Sequence, residues 1–301
     1  MKPCRRTLFL IPLMAVLAVS LFSMDSVKIL TQKILRLNSP LFTKEEFADR
    51  KYRLYRPKHA GLMEQNQKIY PLVVYLHGAG ERGNDNRRQS FDLSFLGNGF
   101  DRQAKLFRTQ YPCFVYVPQC PEDKNWSDQP TLLATIQTIE HIISTNPIDR
   151  DRLYLIGYSM GGSGTYSLAA EYYNLKKQLF AGIIRLAGQG TFPDRTHEII
   201  AQSSIWLHVG LKDIELRVNK AREAYNKLKF YTKANNEHYK KITIPDHPGK
   251  TTILEIPANC ESVRISEYEQ DGHSISHFPF QDPSLMEWLF KLEVCRKPSS
   301  P

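Results

Sequence analysis

Three residues far apart in the chain carry side chains suited to attack on a carbonyl carbon: Ser159, Asp213 and His273. A serine hydroxyl is a weak nucleophile until a base within hydrogen-bonding reach takes its proton. An imidazole does this best when a carboxylate fixes its tautomer and stabilises its cation. Ser159 stands in Gly157-Tyr158-Ser159-Met160-Gly161, which satisfies G-x-S-x-G, directly after the apolar run "RLYLI" and before a helical stretch. The setting carries more weight than the pattern, which also occurs as a plain glycine-rich turn. Between a strand and a helix the turn is so tight that the serine is strained outward, and small residues two before and two after it avoid a clash.

In that arrangement the partners follow in the order serine, acid, histidine. His59, His77 and His141 come too early, and His197 precedes any candidate acid. His208 reads as a core or edge residue of a strand, and His238 and His247 as solvated side chains of a polar stretch. His273, in "EYEQDGHSISHF", follows the last expected strand in a glycine-containing loop, with His277 as its reserve. Asp213 lies three residues beyond the run "SIWLHVG" and is the candidate acid, with Glu215 in reserve and Asp271 read as part of a turn.

Negative charge that develops on the attacked oxygen needs donors. The amide of Met160, at a helix start, is one. The second comes from "VVYLHGAGERGNDN", where a strand opens into a glycine-rich loop, and falls to Ala79 or Gly80. The same glycines do not make a phosphate loop, because the lysine and Ser/Thr of that motif are missing. His77 reads as a brace for the loop, and Glu81 and Arg82 either pair with each other or line the cleft.

These loops need a scaffold. Seven runs rich in β-branched and aromatic residues, "YRLYRP", "YPLVVYLHG", "CFVYVPQ", "RLYLIGYS", "AGIIRLAG", "SIWLHVG" and "VRISEYE", read as strands, several apolar enough to be covered on both faces. Between the third and fourth, Leu132, Ile136, Ile139 and Ile143 make one helical stripe. "RVNKAREAYNKLKF" predicts another helix, and "DPSLMEWLFKL" a last one with Asp282 as N-cap and Pro283 at the first helical position. Strands alternating with helices predict an α/β fold, a mostly parallel sheet with helices on both faces. Two segments break the rhythm. Residues 24–50 read as an N-terminal extension, polar and partly helical, and about 230–258 as a polar insert, a surface excursion with a small hairpin of its own.

"YRLYRP", "YPLVVYLHGAGERGNDN", "YPCFVYVPQCPEDKNWSD", "DRLYLIGYSMGGSGTYSLA", "HVGLKD" and "DGHS" together resemble the α/β-hydrolase superfamily. Within it they look like a group of bacterial secreted proteins often labelled predicted peptidases, near the phospholipase/carboxylesterase, polyhydroxybutyrate-depolymerase-like and feruloyl-esterase branches. The resemblance covers residues 52–288. It implies an α/β-hydrolase domain over 51–295, with Ser159 as nucleophile, Asp213 as acid and His273 as base. It further implies that the loop around Cys120 and Trp126 lines the substrate cleft, the alternative for Trp126 being packing beneath that loop. Two features depart from the group: "IELRV" follows Lys212-Asp213 in place of a proline-valine turn, and the segment before His273 is long.

The chemistry expected is hydrolysis of a small-molecule or polymer-linked carboxylic ester through an acyl-enzyme, with no cofactor. A peptidase or amidase acting on small peptides is the alternative, and a catalytically silent binding protein the alternative of another class. No CxxC or HExxH spacing suggests a metal.

The chain's ends and charge bear on where it works. At 301 residues, with 42% hydrophobic and 24% charged, it can bury a substantial core. Residues 1–23 place Lys2, Arg5 and Arg6 before an apolar run, the order of a secretory signal peptide, with a small-residue cleavage site at Ala18-Val19-Ser20; left uncleaved, the run is an N-terminal anchor. Export to the periplasm or medium is therefore expected, with membrane contact only through an uncleaved segment. Removing the three leader charges takes the formal net charge from +9 to +6, and no motif points to nucleic acid. Cys113 and Cys120, at about 3.3 Å per strand residue, are too far apart to pair. Cys260 and Cys295 either join in an oxidising compartment or stay free.

Overall fold

The computed structural model describes residues 41–58, 60, 68–90, 108–234, 236–255 and 263–294. The leader, most of the N-terminal extension, Cys260 and Cys295 lie outside the described residues.

A ten-stranded sheet runs through the molecule in the order β1-β2-β4-β3-β5-β6-β7-β10-β9-β8. Its strands are β1 Phe42–Phe47, β2 Arg50–Tyr55, β3 Tyr70–Leu76, β4 Phe114–Pro118, β5 Ile148–Tyr158, β6 Gly182–Leu186, β7 Ser204–Gly210, β8 Asn236–Ile242, β9 Gly249–Glu255 and β10 Val263–Tyr268. The run from β4 through β3, β5, β6 and β7 to β10 is parallel throughout. Two antiparallel strands close it on each side. The seven expected strands form the parallel centre and β2.

The central strands are apolar on both faces because each face meets a separate core. In β3, Leu72, Val74 and Leu76 point into one cluster and Val73 and Tyr75 into another. The first cluster is roofed by α1 (Gln129–Thr145), whose stripe of Leu132, Ile136, Ile139 and Ile143 is buried, and by α2 (Met160–Lys176) and α4 (Glu215–Thr232). The second is roofed by α5 (Pro283–Lys291), where Leu285, Met286, Trp288 and Leu289 meet Tyr75, Ile156 and Trp206. Asp282 caps α5, accepting a 2.9 Å bond from the amide of Ser284. A short helix, α3 (Asp194–Ile200), lies between β6 and β7 in the chain.

Two expectations are corrected. Phe42–Phe47, expected within a partly helical approach, is the edge strand β1, paired along its length with β2. The polar insert does form a hairpin, β8 and β9, but not one of its own: β9 pairs with β10 and so prolongs the central sheet. Edge strands need little apolar character, since they gain their stability from the ladder and expose much of their surface.

Candidate active site

Parallel strands deliver their following loops to one edge of the sheet, and that edge is where the singled-out residues gather. Ser159 joins β5 to α2 with φ 55° and ψ −112°, a backbone region that non-glycine residues enter only under constraint. The constraint comes from its neighbours. The Ser159 amide donates to the carbonyl of Leu186 at the end of β6, 2.9 Å away. A Cβ on Gly157 would run into the carbonyl of Gly161, and one on Gly161 into the carbonyl of Leu76 at the end of β3. The helix start therefore lies directly on the strand that feeds the "HGAGERG" loop.

The loops after β7 and β10 leave side by side, because these strands pair in parallel with Tyr268 opposite Gly210. The amides of Leu211 and Lys212 donate to the carbonyls of Tyr268 and Asp271, 2.8 Å each. This zips Asp213 to the approach to His273. Nδ1 of His273 is 2.9 Å from Oδ2 of Asp213, and Nε2 is 2.8 Å from Oγ of Ser159. Burial by itself would raise the Asp213 pKa; hydrogen bonds from Arg217, His273 and the Ile214 amide outweigh it and hold the carboxyl below its usual range. An ionised Asp213 must accept from Nδ1–H. Nε2 then carries a lone pair aimed at the serine hydroxyl.

Exposure divides along the same line. The Asp213 side chain is 2% exposed and that of His273 32%, so the acid is sealed while the imidazole faces solvent. Of the reserves, Glu215 accepts from Asn219 on its own helix, 3.3 Å away. His273, not His277, is the imidazole bonded to Ser159.

Met160 opens α2 and has no intrahelical acceptor for its amide. Ala79 and Gly80 begin a single 3-10 turn at Ala79–Glu81, exposed beyond the buried His77 and Gly78. His77 does brace this loop. Its Nε2 accepts from the Cys120 amide at 3.0 Å while Nδ1 lies 2.7 Å from the carbonyl of Gly78, which puts the proton on Nδ1. Burial pushes its pKa down to about 4, keeping the ring neutral. Gln119 ties the next turn down, donating to the Glu81 carbonyl and the Asp85 carboxylate and accepting from the Asn86 amide. "HGAGERGNDN" and "PQC" are thus two strands' ends sewn into one rim.

The cleft assignments of Trp126 and Cys120 are corrected. Trp126 is 2% exposed, pressed against Gly164 and edge-on to His77, and its Nε1–H donates to the His77 carbonyl at 2.9 Å. Cys120 is fully buried, and burial pushes its thiol up to about 12. Cys113 is likewise a buried free thiol. Both Trp126 and Cys120 support the rim from beneath. Glu81 is half-buried, its carboxylate folded back toward Gly78.

Three neighbours of the site were not singled out from the sequence. Arg217, four residues beyond Asp213, donates to Oδ1 of that acid at 2.7 Å. Tyr158 packs its ring on His273 and donates its hydroxyl to the His273 carbonyl at 3.2 Å. His247 is not merely solvated: in the turn between β8 and β9, it is 2.9 Å from Asp271 and stacked on Phe278 with ring centroids 3.8 Å apart. The first had a readable signal, the i,i+4 spacing at a helix start. The others depend on contacts distant in sequence.

Among the described residues no group of three His, Cys, Asp or Glu side chains could hold a metal ion, and no helix is long and apolar enough to cross a membrane.

No family model and no curated protein matches the sequence. Solved structures do match the fold. A thermostable esterase superposes with a TM-score of 0.62 at 28% identity over 84% of this chain; the chain spans 63% of that protein's length. An acetyl xylan esterase from Aspergillus awamori gives a TM-score of 0.56 at 14% identity, covering 82% of this chain and 98% of that one. An acylaminoacyl peptidase from Pyrococcus horikoshii gives 0.51 at 13% identity, covering 86% and 42%. With its parallel centre, strand order and strand-to-helix turn at Ser159, the chain has the α/β-hydrolase fold.

Proposed function

We propose that this chain is an exported serine hydrolase that cleaves carboxylic esters through an acyl-enzyme. The observation that carries the reading is the 2.8 Å approach of His273 Nε2 to the hydroxyl of a serine held at positive φ. His273 takes the Ser159 proton as Oγ attacks the carbonyl carbon, and the tetrahedral oxyanion is met by the amides of Met160 and of Ala79 or Gly80. The imidazolium, stabilised by Asp213, then protonates the departing alcohol. Water, deprotonated by the same imidazole, attacks the acyl carbon and returns the serine.

Ester is preferred over amide because an alkoxide or phenolate leaves more readily than an amine, and the likeness to two esterases supports the preference. Amide hydrolysis is the second reading, supported by fold likeness to an acylaminoacyl peptidase. Export is supported by the basic and apolar order of residues 1–23.

A fluorophosphonate probe should label the wild type and not Ser159→Ala, which should lose about 10⁴–10⁶ in kcat on aryl acetates. Labelling that survives the substitution removes Ser159 from the reaction. Faster turnover of peptidyl amides than of acetyl, aryl or feruloyl esters would transfer the assignment to a peptidase.

A further inference from the structure

We propose that Arg217 is a positioning residue that sets the pH range over which His273 works, by neutralising the carboxylate behind it; this rests on the reading of His273 as the base.

Asp213 divides its two oxygens between opposite partners. Oδ2 faces His273, while Oδ1 accepts from the Arg217 guanidinium and from the Ile214 amide, 2.7 Å each. Arg217 lies in the first turn of α4, where the helix dipole disfavours a cation, so the helix does not itself explain its presence. The partner on the far side does: the Asp213 side chain is 2% exposed and Arg217 21%.

A sealed, uncompensated carboxylate stabilises the neighbouring imidazolium and makes the imidazole hold its proton to higher pH. With Arg217 in place the charge behind the ring is close to zero. The ring then releases its proton at lower pH and is available as a base over a wider range. Among the described residues, three charged side chains near the pair bond partners of their own. From the Asp213 loop, Lys212 bonds Gln270; from α4, Glu215 bonds Asn219; from the histidine loop, Asp271 bonds His247 of the hairpin. From β5, Tyr158 reaches the His273 carbonyl, and Ser159 meets Nε2.

The test combines titration of the His273 side-chain NMR signal, assigned by its loss in His273→Gln, with the pH profile of kcat/KM on an aryl acetate. Arg217→Gln should raise the His273 midpoint by about half a pH unit, the size expected of one partly solvated charge several ångströms away. The acidic limb should move with it, so that kcat/KM at a pH below the limb falls about three-fold more than on the plateau. Arg217→Lys should keep the wild-type midpoint, since it keeps the charge while losing the guanidinium fork. A midpoint unmoved in Arg217→Gln, with the wild type still labelled by the phosphonate, overturns this inference alone. Labelling that persists in Ser159→Ala overturns the reading of the site and this inference with it.

Discussion

The indole N–H of Trp126 donates to the carbonyl of His77, so a side chain expected to line the cleft is a strut of the loop that holds Ala79 and Gly80. Trp126→Phe keeps the apolar ring and removes the donor, leaving a buried carbonyl short of a partner. A loss of about 1–2 kcal/mol follows, which in a domain of this size lowers Tm by about 3–6 °C. If the strut orients the amides rather than touching substrate, kcat on an aryl acetate falls about ten-fold while KM stays within about two-fold. A raised KM at unchanged kcat would instead put the indole in contact with substrate.

Close approach at the helix start makes a second, steric prediction. Gly161→Ala forces a methyl group against the carbonyl of Leu76, backbone that cannot step aside. It should cost about 3 kcal/mol or more and abolish phosphonate labelling. Gly80 provides the contrast, because nothing lies within 4 Å of a Cβ built there. Gly80→Ala should leave the free energy of urea unfolding within about 0.5 kcal/mol of wild type. Equal stability of the two variants would show that α2 can pull back from β3.

Two buried imidazoles make the fold sensitive to mild acid. His77 is pushed down to about 4 and His208, sealed between Trp206 and Tyr268, to about 3, both by burial. Their ordinary value is about 6.5, so between there and about 4 the unfolded chain binds more protons than the folded one. Stability is complete above that window and falls as the pH drops through it. At pH 5 each histidine should account for a loss of about 2 kcal/mol relative to pH 7. Urea unfolding at the two pH values measures these two together with His197, whose pKa burial also lowers, and equal unfolding free energies would show that the buried rings gain protons without cost.

The parallel centre and α1, α4 and α5 were legible in the sequence because a strand covered on both faces must be apolar almost throughout, and a helix on one face must carry a stripe. The same logic hides what lies at the margins. "FTKEEF" and "NEHYKKI" are edge strands with one buried residue each, so nothing in their composition separates them from loop. At the site, Ser159, Asp213 and His273 could be ordered by chain direction and by their places after strands, and the fold brings those three side chains into a hydrogen-bonded row. Trp126 could not be resolved in this way, because a loop sequence does not say which side of the loop its indole will occupy. His247 is a polar residue in a polar stretch, and its pairing with Asp271, 24 residues on, is a fact of tertiary packing alone.

That pairing ties together two segments that look independent in the sequence. The turn after β8 grips Asp271 ahead of His273 and Phe278 beyond it, and the Pro248 carbonyl accepts from the Glu269 amide at 2.9 Å. A residue gained or lost in the hairpin is felt as a displacement of the histidine loop. Grafting the loop without the hairpin would carry over the imidazole but leave behind what keeps it aimed.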